Sequence, residues 1–164
     1  MKLMKLMKRR NTEDSRQRMK SNQIESGQSM KRQELLHQDI TQQILDAFHY
    51  VYKQLGYGFL EKVYENSLIH VLRQNGLDVK QQVPIDVYFE DVQVGHYFTD
   101  VIVNGAVILE LKSAEVLQDA DEAQLINYLR ASQIEVGLLL NFGKRPKFKR
   151  KFFTNDRKCT RIEN

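Results

Sequence analysis

The chain has 164 residues, of which 41% are hydrophobic, and a formal net charge of +4. This length suits one ordinary domain, and no stretch approaches the roughly 20 apolar residues of a membrane span. The single cysteine excludes an internal disulfide and a multi-cysteine zinc site. Because the basic amino terminus lacks the apolar run of a secretion signal, we expect a cytoplasmic protein with no membrane partner.

The charge is divided along the chain. Residues 1–32 hold 10 Lys or Arg and 3 Asp or Glu, residues 33–143 hold 6 and 16, and residues 144–164 hold 9 and 2. An acidic body between basic ends is typical of a domain that concentrates cations and binds phosphates at its margins; solubility alone is the alternative explanation. We predict a basic, disordered extension over 1–32, a folded domain over 33–154 and a basic tail over 155–164.

Two amphipathic helices are predicted first. Apolar residues recur at helical spacing over 36–55, about five turns, and a pair of glycines ends this stretch. A second apolar stripe runs over 60–72, and Asn75-Gly76 offers a left-handed cap where the second helix should end.

Three strands are predicted next, over 79–87, 92–103 and 106–112. Pro84 in the first indicates an edge strand or a bulge. The third is apolar until its end, as expected of a strand buried on both faces. The Asn104-Gly105 pair predicts a hairpin between the second and third strands.

The remaining elements are a helix beginning near Asp119, a strand over 134–141, and a basic stretch over 144–151 that leads to a short strand at Phe152-Phe153. The order α-α-β-β-β-α-β predicts an α/β fold, a mixed four-stranded sheet flanked by helices on both sides.

Three charged residues lie near the ends of the paired strands. Glu110 and Lys112 share one face of the third strand because strand side chains alternate, although an ion pair at a strand end would explain them alone. Asp100 lies on the neighbouring strand, where a buried carboxylate needs a cation or a donor. A two-residue hairpin loop places Asp100 opposite Leu109 and on the wrong face, whereas a three-residue loop with Gly105 in a bulge brings Asp100 and Glu110 together.

Two converging carboxylates suit a hard divalent cation, Mg²⁺ or alternatively Mn²⁺, and the backbone carbonyl of Leu111 is a further possible ligand. Such a site favours phosphodiester hydrolysis, with Lys112 orienting the attacking water or stabilising the charge that develops on the phosphate. The four histidines show no ligand spacing, which argues against a zinc hydrolase.

Two predicted helices offer supporting residues. Glu61 and Glu65 share a face of the second helix, and one of them could reach the metal. Gln124 and Tyr128 share a face of the third and could hold a phosphate or the lysine. A solvated helix surface is the alternative reading for all four residues.

Six motifs follow one another along the chain: Gly58-Phe-Leu-Glu61 continuing to Leu68, Gln82-Val-Pro84, Asp100-Val-Ile-Val103, Val107-Ile-Leu-Glu110-Leu-Lys112, Glu122-Ala-Gln124 continuing to Arg130, and Gly137 to Gly143. Together, over residues 35–154, they resemble the GxxExxR family, a group of small bacterial proteins placed in the PD-(D/E)XK nuclease superfamily.

The resemblance implies the restriction-endonuclease-like core of that superfamily, a mixed four-stranded sheet with flanking helices. It also implies Asp100 and Glu110 as metal ligands, Lys112 as the catalytic lysine and Glu61 as an auxiliary acid.

Gln124 with Tyr128 looks like the Gln-x-x-x-Tyr element of RecB-like nucleases. Two departures are visible: Tyr64 stands where the family name has arginine, and Thr99 stands where the superfamily has a nominal proline.

Two functions stay open. The first is a Mg²⁺-dependent nuclease acting on DNA rather than RNA, and the intact carboxylates and lysine favour it. The second is a nucleic-acid-binding or regulatory module with little catalysis, favoured by the scarcity of basic residues over 33–143. In both cases nucleic acid would be bound by the amino-terminal arm and by a basic cluster near the carboxyl end. This basic cluster consists of Lys144, Arg145, Lys147, Lys149, Arg150 and Lys151.

Overall fold

The computed structural model describes residues 36–158. The predicted extension over 1–32 and residues 159–164 of the predicted tail lie outside the described residues. The elements are α1 (Gln38–Leu55), α2 (Glu61–Gln74), β1 (Val79–Phe89), β2 (Val92–Val103), β3 (Val107–Lys112), α3 (Asp119–Ala131), β4 (Val136–Asn141), β5 (Lys147–Phe152) and a 3₁₀ turn (Asn155–Arg157). None of the helices within residues 36–158 has the length and apolar character needed to cross a bilayer.

The five strands form one sheet in the order β1-β2-β3-β4-β5. Strands β3 and β4 run parallel, and every other neighbouring pair is antiparallel. The predicted mixed sheet is therefore confirmed, but it has five strands rather than four. The additional strand is β5, which occupies the basic stretch from which the sequence predicts only Phe152-Phe153 as strand. Lysines on an edge strand discourage pairing with another chain, so this composition suits its position.

Helices cover both faces of the sheet, as predicted. On one face Ile108 and Leu139 pack with Leu125 of α3 in a single apolar cluster. On the other face the alternate residues Leu109 and Leu138 are fully buried, and α2 contacts β3 while packing against α1. Strand β3 is thus buried on both sides, which makes any charged residue within it exceptional.

Tyr64 fixes the connection between α1 and α2. Its ring is fully buried and stacks on Phe142 at 4.4 Å between centroids. Its hydroxyl donates to the carbonyl of Gly56 at 3.0 Å and accepts from the N–H of Phe59 at 3.2 Å. Tyr64, which stands where the resembled GxxExxR pattern has arginine, therefore holds the loop that leads into Glu61.

The β1–β2 ribbon extends beyond the rest of the sheet. Only Val101, Ile102 and Val103 of β2 pair with β3, so the preceding residues form a two-stranded ribbon. Strand β1 is an edge strand, as Pro84 predicts. Six large apolar side chains of the ribbon are exposed: Tyr88, Phe89, Val92, Val94, Tyr97 and Phe98.

Candidate active site

The β2–β3 loop sets the register on which the site depends. Three residues, 104–106, connect the strands, and Val101 pairs with Leu109. The first two loop residues adopt left-handed φ angles of 51° and 61°. This register puts Asp100 and Glu110 on the same face, so the predicted three-residue loop is confirmed. The convergence of the two carboxylates is a consequence of one extra loop residue.

Glu110 is a buried carboxylate with one oxygen left over. Its side chain is 2% exposed, and Oε1 accepts a hydrogen bond from the Lys112 ammonium at 2.9 Å. Oε2 is buried and has no hydrogen-bond partner among residues 36–158. Burial raises the pKa of Glu110 to about 7, the charge of Asp100 adds to this rise, and the Lys112 ammonium opposes it. A buried carboxylate oxygen without a partner is unfavourable unless a proton or a cation joins it.

Asp100 caps the end of the β2–β3 pairing. Its Oδ2 accepts the backbone N–H of Leu111 at 2.8 Å. Burial raises the pKa of the Asp100 carboxyl. The hydrogen bond from the Leu111 N–H opposes this rise with a smaller effect, and repulsion from Glu65 adds to it. The preceding residue, Thr99, is fully buried where the superfamily has proline.

Lys112 is held between the sheet and α3. Its ammonium donates to Glu110 Oε1 at 2.9 Å and to Gln124 Oε1 at 3.3 Å, with Asp121 Oδ1 at 4.0 Å. Burial alone would lower the pKa of Lys112, but the hydrogen bond and charge of Glu110 outweigh burial and raise it. Gln124 in turn donates through Nε2 to the hydroxyl of Tyr128 at 2.8 Å. The cationic lysine therefore has a fixed position.

The two glutamates of α2 have different surroundings. Glu61 is exposed, and its Oε1 accepts a hydrogen bond from the N–H of Ser113 at 3.2 Å. Ser113 is the residue that follows Lys112 in the chain. Glu65 is 6% exposed, and it accepts hydrogen bonds from Lys62 at 2.9 Å and from Gln81 Nε2 at 2.9 Å. The solvated-surface reading is therefore wrong for Glu65, whose burial depends on strand β1.

Sequence reasoning missed the residue that fixes the chain after Lys112. Asn141 is 1% exposed; its Oδ1 accepts the N–H of Ala114 at 3.0 Å, and its Nδ2 donates to the carbonyl of Ala114 at 2.8 Å. Two residues later, a Cβ at Gly143 would lie 2.2 Å from that carbonyl oxygen. The available signal was an amide side chain ending an otherwise apolar strand.

The basic cluster does not form one free cationic surface. Lys149 and Lys151 both pair with Glu122 of α3. The Arg150 guanidinium lies 5.2 Å from the centre of the Phe152 ring. The other three members are exposed: Lys144, Arg145 and Lys147. Two of the six residues predicted to bind nucleic acid are therefore already paired with a carboxylate.

The donors fit a divalent cation with few protein ligands. Within residues 36–158, no group of three or more His, Cys, Asp or Glu side chains is arranged to hold a metal. Asp100 and Glu110 nevertheless supply two carboxylates, and the unpartnered Oε2 of Glu110 is the oxygen that a cation would satisfy. The N–H and carbonyl of a strand residue point to the same neighbour, so the Leu111 carbonyl is directed toward the Asp100 side.

Comparison with known proteins gives a family. The model of the PD-(D/E)XK nuclease superfamily matches residues 38–151. Among solved structures, the one titled "Crystal structure of SSO0001" has a TM-score of 0.46 and 16% identity over 72% of this chain. The chain spans 60% of that protein's length. A search of curated proteins finds no match.

The family match supports the fold, because it runs from the first described helix into β5. Nucleases of this superfamily generally use divalent metal ions and bind nucleic acid. The match does not separate the GxxExxR group from the rest of the superfamily, so that likeness remains a resemblance. By its match over more than half of its length, the chain belongs to the PD-(D/E)XK nuclease superfamily.

Proposed function

We propose that the chain is a Mg²⁺-dependent nuclease that hydrolyses phosphodiester bonds of DNA. The observation that carries this proposal is the convergence of Asp100 and Glu110 on one sheet face, with the Lys112 ammonium bonded to Glu110. Membership of a nuclease superfamily supports the activity in general terms.

Asp100, Glu110 and the Leu111 carbonyl are the proposed ligands of Mg²⁺, with Mn²⁺ as a substitute. When bound, such an ion polarises the scissile phosphate and lowers the pKa of a coordinated water. The raised pKa values of both carboxyls support this assignment, because a cation relieves the repulsion between the buried Glu110 carboxylate and the half-buried Asp100 carboxylate.

Lys112 is the proposed catalytic lysine. Glu110 and Gln124 hold its ammonium in place before substrate arrives, and a preorganised cation stabilises the negative charge that develops on the phosphate. Tyr128 holds Gln124, so we assign this pair a positioning role. Glu61 is the proposed auxiliary acid, since it lies next to the chain segment that follows Lys112.

DNA is proposed ahead of RNA because the Gln124–Tyr128 pair resembles an element of RecB-like nucleases. Binding of the phosphate backbone is assigned to the basic cluster, and first of all to its exposed members Lys144, Arg145 and Lys147. Contacts of this kind are insensitive to sequence and weaken as salt rises. A cytoplasmic location agrees with this function and is proposed with it.

A nucleic-acid-binding or regulatory module is the second candidate. The observation that favours it is the acidic body, with 6 basic and 16 acidic residues over 33–143. Such a surface opposes the close approach of a polyanion except at the basic ends.

One experiment separates the two candidates. Wild type, Lys112→Ala and the exposed-lysine control Lys80→Ala are incubated with single-stranded, double-stranded and branched DNA and with RNA, in Mg²⁺ and in EDTA. A nuclease gives Mg²⁺-dependent cleavage that Lys80→Ala keeps and Lys112→Ala loses by roughly 10²–10³-fold. Equal cleavage by Lys112→Ala would refute the proposed site. Binding without cleavage of any substrate by wild type would establish the module instead.

A further inference from the structure

Glu122 bridges two lysines of the basic cluster. Lys149 pairs with its Oε1 and Lys151 with its Oε2. These hydrogen bonds lower the pKa of the Glu122 carboxyl. Two ammonium groups that converge on the separate oxygens of one anion form an anion-binding arrangement, and phosphodiester oxygens are anions of the same kind.

The sheet register places this lysine pair beside the catalytic centre. Glu110 pairs with Leu139, which pairs with Lys149, and Lys112 is level with Lys147 in the same way. Residues in register point to the same face, so Lys149 lies on the face that carries Glu110, and so does Lys151, two residues further along β5. Two strand spacings, a distance of roughly 10 Å, separate the Cα atom of Lys149 from that of Glu110. At about 3.4 Å of rise per nucleotide, this spans only a few nucleotides of one strand.

Helix α3 lies between the two groups of charges. Asp121 is 4.0 Å from the Lys112 ammonium, whereas the next residue, Glu122, pairs with β5. The side chain of Lys149 is 47% exposed and that of Glu122 is 20% exposed. Ion pairs that water can reach contribute little to stability, so an incoming phosphate can take the place of the carboxylate without disrupting the core.

We infer that Lys149 and Lys151 form a phosphate subsite and that Glu122 occupies this subsite in the free protein. The inference rests on the proposed function in one respect, that the substrate is a nucleic acid. Binding of a nucleic-acid strand displaces the Glu122 carboxylate from the two lysines. The carboxylate is thus an internal competitor that weakens the binding of nucleic acid next to the catalytic centre.

The test is a binding measurement without turnover. Fluorescein-labelled single-stranded and duplex DNA are titrated with full-length protein in EDTA, and anisotropy is followed at several salt concentrations. The variants are Glu122→Gln and a control, Asp119→Asn, which removes the same charge from an exposed position on the same helix. We expect Glu122→Gln to bind roughly three- to tenfold more tightly than Asp119→Asn, with a steeper salt dependence because two lysines are released.

A second pair of substitutions keeps the test decisive. The double substitution Lys149→Ala with Lys151→Ala should abolish the gain in DNA affinity that Glu122→Gln produces. In the wild-type background the same double substitution should weaken DNA binding less than it does in the Glu122→Gln background. Equal tightening by Glu122→Gln and Asp119→Asn would show a general charge effect and overturn the subsite. No tightening by Glu122→Gln, in protein whose circular dichroism matches wild type, would overturn it as well. Because binding is read in EDTA, a failure of cleavage in Mg²⁺ refutes the nuclease proposal separately.

Discussion

Replacing Glu110 by Gln removes a charge that its surroundings disfavour. The ordinary pKa of this carboxyl is 4.5, and burial followed by repulsion from Asp100 raises it to about 7 in the folded protein. Folding therefore promotes proton uptake between these two values. Because the folded pKa is the higher one, the free energy of unfolding falls as pH rises through this window and levels off above pH 7.

The two pKa values give the size of the effect. Between pH 5 and pH 8 the wild-type protein should lose about 2.5 kcal/mol of its free energy of unfolding through this one group. The Glu110→Gln variant has no such group and should not show this loss. The ion pair with Lys112 forms only when Glu110 is ionised, and its opposing effect is already contained in the folded pKa of about 7, so it needs no separate allowance in the comparison.

The assay is urea unfolding in EDTA at pH 5 and pH 8, with exposed Glu115→Gln as the control variant. The stability of Glu110→Gln relative to wild type should improve by about 2.5 kcal/mol from pH 5 to pH 8. Excess Mg²⁺ at pH 8 should then stabilise wild type by mass action and leave the variant nearly unchanged. A stability difference that is the same at both pH values would refute the idea that Lys112 compensates the buried charge of Glu110 only in part.

Two further substitutions test the neighbours of the site. Tyr128→Phe removes the acceptor of the Gln124 hydrogen bond. We therefore expect kcat, measured on the best DNA substrate, to fall about three- to tenfold with little change in KM. An unchanged kcat would contradict the positioning role assigned to Tyr128. Asn141→Ala leaves the N–H and carbonyl of Ala114 without partners, so we expect a loss of about 2–4 kcal/mol in urea unfolding. A loss below about 0.5 kcal/mol would show that water replaces the amide.

The register of the site was predictable because it follows from alternation. Side chains on a strand repeat every two residues, so the number of loop residues decides whether Asp100 and Glu110 meet. The Asn104-Gly105 pair pointed to the turn, and the chemistry of the two carboxylates required the longer loop. Local pattern and functional chemistry together were enough to predict a contact between two strands.

Glu65 shows where such reasoning ends. Its spacing on α2 could not reveal that Gln81 of β1 would bond to it, because that contact depends on how the helix docks against the sheet. The pairing of Glu122 with Lys149 is of the same kind, joining residues that are 27 positions apart. Strand β5 was obscured for a different reason: in Lys147–Phe152 the lysines resemble a tail, although they alternate with larger side chains as an edge strand does.

The β1–β2 ribbon has a consequence for the stability of different parts of the sheet. Beyond Val101 it lacks a third strand, and aromatic side chains such as Tyr97 and Phe98 are about half exposed. Local opening of such a segment exposes little additional apolar surface, so its amide protons exchange without unfolding of the domain. Strand β3 is buried on both faces and retains its amide protons until the whole domain opens. Asp100 lies at the boundary between the ribbon and the three-stranded part of the sheet, so fluctuations of the ribbon reach one proposed metal ligand, while Glu110 lies in a strand that is buried on both faces.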